Sequence, residues 1–247
     1  RGGAIAAALT FRDETTPAVQ AQLDELATTL ASALNAVHND GTAYPAPATL
    51  TGTVAVDIAD ALSATGTLRV AALQADGTVV ATQDLDLSAY ATVGDLVAAI
   101  DAVDGLSASI DAAGHLVVGA DAAGTGVALA DIDAAVGTAG SGVSAAFGLN
   151  DLVTGSGAAD IRLRADILAD PARLAASLLS TATGLAAGDA GLSGGTGDIA
   201  AALQSALAAD QDFDSAGGLG ARTKSLADYA LDIVAAAGAA AERAADQ

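Results

Sequence analysis

The sequence predicts an α+β protein. Both ends of the chain should form one helical, bundle-like domain, and a β-rich domain containing one helix should be inserted between them. Three observations predict this: apolar residues at heptad spacing near each end, apolar/polar alternation through the middle, and Asp-Gly type turns separating the alternating runs. The expected boundaries are 1–45 and 147–247 for the helical domain and 46–146 for the insertion.

The first helix should span 17–39, because Val19, Leu23, Leu26, Leu30, Ala33 and Val37 repeat with gaps of 4, 3, 4, 3 and 4. That spacing keeps an apolar seam facing a partner helix. Ile5 and Leu9 extend the stripe upstream, with Pro17 marking a first turn or a kink. Asn39-Asp40-Gly41 ends the helix, Gly41 suits a left-handed cap, and Pro45 and Pro47 prevent continuation.

Through the insertion, residues 50–58 and 67–74 alternate as strands. Asp76-Gly77 turns the second into a returning strand from Val79 to Leu87. Thr92 is placed to cap a helix carrying Leu96, Ile100 and Val103 on one face. Leu106 to Ile110 and His115 to Val118 flank a further hairpin turn at Asp111-Ala-Ala-Gly114.

Helices return after Phe147. A short one should start at Asp170-Pro171 with Leu174 and Leu178 inside, followed by a flexible glycine-rich loop from Gly184 to Gly197. Ile199, Leu203 and Leu207 mark another helix. Leu226, Ala230, Ile233, Ala237, Ala240 and Ala244 then repeat the heptad seam, fading into alanine, which permits close helix approach.

Composition limits the chemistry. Of 247 residues, 68 are Ala and 28 are Gly, with only 3 Phe, 3 Tyr and no Trp, Met or Cys. A core must therefore come from many small contacts, and disulfides, thiolate ligands and thiol catalysis are all absent. Nine basic residues against 30 acidic ones give a net charge of −21, which repels nucleic-acid phosphates. No apolar run is long enough to span a membrane, and no signal peptide is read at the start.

Catalytic signatures are missing too. His38 and His115 stand far apart, and no nucleophile elbow, phosphate loop or dinucleotide fingerprint occurs. Neither an enzyme nor a bound cofactor is expected. Asp210-x-Asp212-x-Asp214 imitates the opening of a calcium loop, but Ser215 and Ala221 occupy the positions of the turn glycine and the bidentate glutamate. Gly194-Gly-Thr-Gly-Asp198 imitates a calcium-binding repeat that occurs once. Asp57/Asp60 and Asp84/Asp86 read as solvated strand edges, and Arg162 and Arg164 as partners of the acidic surface. A calcium-binding extracellular adhesin or surface-layer-like protein is the competing class, and no metal ligands are assigned.

Several ordered strings carry a resemblance. They are Gly2-Gly-Ala-Ile-Ala-Ala-Ala-Leu9, then Phe11-Arg12-Asp13 with Pro17, and Leu34-Asn35-Ala36-x-His38-Asn39-x-Gly41. Phe147-Gly148-Leu149-Asn150-Asp151, Asp170-Pro171 with Leu174-Ala175, and Ser225-Leu-x-Asp-Tyr229 follow. Together they resemble the middle region of the flagellar hook-associated protein 1 family, the hook–filament junction proteins. The resemblance implies a non-enzymatic structural subunit, exported through the flagellar type III apparatus without a cleaved signal peptide and located on the extracellular flagellum. It implies ring assembly with other copies and contact with the hook protein and the second junction protein. It also implies binding of an export chaperone through a terminal segment not found in this sequence.

Overall fold

The computed structural model describes residue 3, residues 8–195 and residues 197–245. Helix α1 runs Thr16–Asp40, preceded by a π-helical turn at Phe11–Thr15. Strands β1 Thr49–Ala55, β2 Ala64–Thr65, β3 Thr67–Gln74 and β4 Val79–Asp86 lead to helix α2, Val93–Asp101. Next come β5 Leu106–Ile110, β6 His115–Ala120, β7 Thr125–Asp131, β8 Ala135–Val136 and helix α3 Val143–Phe147. The chain continues through β9 Val153–Thr154, β10 Arg162–Leu163, α4 Ala165–Ala169 and α5 Asp198–Ala208. It closes with β11 Asp210–Phe213, β12 Arg222–Ser225 and α6 Leu226–Ala245.

Two compact units divide these elements. A helical unit comprises Arg1–Leu34, Val153–Arg162 and Gln204–Gln247, and a sheet unit comprises Asn35–Leu152 and Leu163–Leu203. Mixed α+β architecture is therefore present.

In the sheet unit, β1-β6-β5 and β4-β3-β7 form two antiparallel three-stranded sheets, and β2 pairs with β8. β3 is buried on both faces, and its period of two sends alternate residues to different cores. Leu68, Val70 and Ala72 join Leu96 and Ile100 of α2 in the main core, while Ala71 and Leu73 pack with Val79, Leu179 and Leu192 on the other side. α2 starts as its sequence predicts. Thr92 accepts from the Asp95 N–H and Asp95 accepts from the Thr92 N–H, a capping box. Both hairpins form, at Asp76-Gly77 and at Asp111–Gly114, with Gly77 and Gly114 at φ 82° and 89°.

The helical unit has a small core of Phe213, Tyr229 and Ile233, against which Val19, Leu26, Leu219 and Leu226 pack. Phe213 and Tyr229 stack with ring centroids 3.9 Å apart. β11 and β12 pair antiparallel, and Ser225 caps α6 by accepting from the Asp228 N–H at 3.1 Å. On α6, Ile233 is buried and Leu226, Ala230, Ala237, Ala240 and Ala244 are half-buried.

Several expectations need correction. Leu23 is 38% exposed, so the seam of α1 is not the one its leucines describe. Within the helical unit the inward run is Val19, Gln22, Leu26 and Thr29. Polar Gln22 is accepted because its side-chain amide nitrogen, Nε2, donates to the Gly217 carbonyl at 2.7 Å. Leu30 and Val37 are half-buried. Leu9 is 45% exposed, and Ile5 lies outside the described residues, as do most of the residues from Gly2 to Ala7. The strand expected over 50–58 ends at Ala55, where the chain turns through Asp57–Asp60.

After Asp170-Pro171 only a 3-10 turn, Pro171–Arg173, forms, and Leu174 and Leu178 are 41% and 46% exposed. The backbone there is satisfied elsewhere: the N–H groups of Ala176 and Ser177 both donate to the Thr42 carbonyl. The glycine-rich segment is tied down, not loose. Val79 N–H donates to Asp189 O, Gly191 N–H donates to Gly77 O, and Leu192 is buried. Gly41 is not left-handed. Its small size is needed because a Cβ would stand 2.9 Å from both Ala175 Cβ and Ile199 Cδ1.

Candidate functional site

Within the sheet unit, the end of α1 and the turn after α3 meet in a polar node. α3 closes at Gly148, whose φ of 62° is left-handed. A Cβ there would collide with the Thr53 hydroxyl and the Asp151 carboxylate, so glycine is demanded twice over. Leu149 is fully buried beside it and anchors the turn in the main core.

His38, also fully buried, sits at the centre. Its Nδ1 lies 2.5 Å from the Asn150 carbonyl oxygen, and its Nε2 lies 2.9 Å from the Ala175 amide nitrogen. A carbonyl can only accept and an amide N–H can only donate. The ring is therefore neutral, with its proton on Nδ1. Burial lowers its pKa below the ordinary histidine value, and the bond to Asn150 opposes that shift only in part.

The asparagines complete the node. Asn150 Nδ2 donates to the carbonyls of His38 and Gly41 at 2.9 and 2.8 Å, closing the end of α1. Asn39 Oδ1 accepts from Ser144 Oγ at 2.7 Å and from the Asn150 N–H at 3.0 Å. Its Nδ2 donates to Asp151 Oδ1 at 2.7 Å, while Thr53 donates to the other carboxylate oxygen at 2.5 Å. Asn35 Oδ1 accepts from the Leu152 N–H at 2.9 Å. One half of the node thus satisfies the helix end that would otherwise leave carbonyls unpaired.

Cations and carboxylates frame it. Arg164 donates to the Leu149 carbonyl at 3.0 Å and pairs with Asp166 at 2.8 Å, and Arg173 pairs with the same carboxylate at 2.8 Å. Burial pulls Asp166 upward, but the bond and charge of Arg164, with the charge of Arg173, hold its pKa below normal. Asp131 accepts from the Val143 N–H at the start of α3, and burial raises its pKa and that of Asp40.

Asn35, His38, Gly148, Leu149, Asn150 and Asp151 are thus brought together. Asp170 and Pro171 shape the 3-10 turn ahead of Ala175, with Asp170 accepting from the Ala172 N–H. Phe11, Arg12 and Asp13 belong to the helical unit. Phe11 is 52% exposed, and Arg12 and Asp13 form an exposed ion pair at 2.6 Å.

The other charged candidates also have places. Asp210 and Asp212 lie on the paired strand β11, not on a loop, and Thr223 donates to Asp212. Asp84 is no free strand edge. It pairs at 2.6 Å with Arg69, a buried cation on β3 that sequence reading missed. Among the described residues, no group of three or more His, Asp or Glu side chains is placed to hold a metal ion.

Residues 1–55 match the family model described as the flagellar hook-associated protein FlgK helical domain. The match supports the FlgK family. No match is found among curated proteins. The FlgK match contains the whole of α1 and β1, hence Asn35, His38, Asn39 and Thr53 of the node. Gly148–Asp151 lie beyond it, so the node joins matched residues to a distant part of the chain. Ser144 and Thr53 carry no sequence signal of their own, because each contributes one hydrogen-bonding group at a place only the fold defines, whereas Arg164 pairs with an acidic residue, Asp166, as its sequence position suggested. No helix among the described residues is long and apolar enough to cross a membrane.

Proposed function

We propose that this chain belongs to a structural subunit of the bacterial flagellum, in the ring that joins hook to filament. The observation that carries the reading is the FlgK helical-domain match over residues 1–55, which supports a flagellar hook-associated protein. FlgK is a structural flagellar family, not a known enzyme, and the node agrees with such a role. Its polar groups are spent on one another, and its histidine is closed on both ring nitrogens, so it locks backbone in place and offers no reacting atom. In this reading the subunit contacts further copies of itself, the hook protein and the second junction protein, outside the cell. The match does not favour a calcium-binding adhesin.

Electron microscopy of flagella labelled with antibody against this chain tests the reading. Label confined to the hook–filament boundary is the expected result. Label spread along the filament, or absent from flagella, would overturn it.

A further inference from the structure

We draw no further inference here: the strongest candidate, the cavity of about 840 Å³ in the sheet unit lined by Asp40, Asp131 and residues 178–182, carries nothing, because Asp131 is already engaged by the Val143 N–H at the start of α3 and no observation beyond the acidic pair points to a ligand.

Discussion

His38 is a donor at one ring nitrogen and an acceptor at the other, and protonation would turn the second into a donor facing the Ala175 N–H. Burial already depresses its pKa, so the folded chain binds this proton less readily than the unfolded chain, whose histidine titrates near the ordinary value of about 6.5. The sign follows from linkage. The unfolded state takes up more protons, so this group's contribution is fully present above that value and is lost as pH falls toward the depressed folded pKa. Urea titrations of wild type should show stability declining from about pH 6.5 downward, with the decline from this group missing in His38→Ala. At neutral pH that variant should itself lose about 3 kcal/mol, because the Asn150 carbonyl and the Ala175 N–H are left buried without their partner. A variant as stable as wild type at pH 8 would show that the ring merely fills space.

At the scale of elements, α1 shows how pattern and packing part company. Its leucines mark Leu23 and Leu30, yet the inward face of the helical unit takes Gln22 and Thr29 with Val19 and Leu26. Gln22 can be buried because Gly217, at φ 53°, brings a carbonyl within 2.7 Å of its amide. Leu26→Asp should therefore place a charge against the Phe213–Tyr229–Ile233 core and melt the helical unit, seen as lost ellipticity. Leu23→Asp, at a position 38% exposed, should cost about 0.5 kcal/mol or less. Equal losses in the two variants would restore the leucine seam. β3 is the contrasting case. Its alternation was legible throughout, but Arg69 occupies an inward position, where it pairs with Asp84 and donates to the carbonyls of Ser180 and Ala182 at 2.9 and 2.8 Å. Nothing local in the sequence pointed to those carbonyls, which come from a segment more than a hundred residues away.

For the whole molecule, charge sets the terms of association. A net charge of −21 should keep the chain monomeric in dilute, low-salt solution. The repulsion reaches about 8 Å at physiological ionic strength, so light scattering should show association rising as salt is added. A stable oligomer in dilute chain at low salt would refute this balance. The sequence by itself determined the α+β class, the hairpin turns, the cap of α2, both long helices and the strings whose first part the FlgK match supports. These features depend on neighbours a few residues apart, where backbone preference and apolar period act directly. Only the tertiary structure decided which face of α1 is buried, why Gly41 and Gly148 must lack a Cβ, and that Asn39, Asn150 and Asp151 satisfy one another across the fold. The reason is physical: a buried polar group must find its partner wherever the fold delivers one, and sequence spacing does not encode that distance.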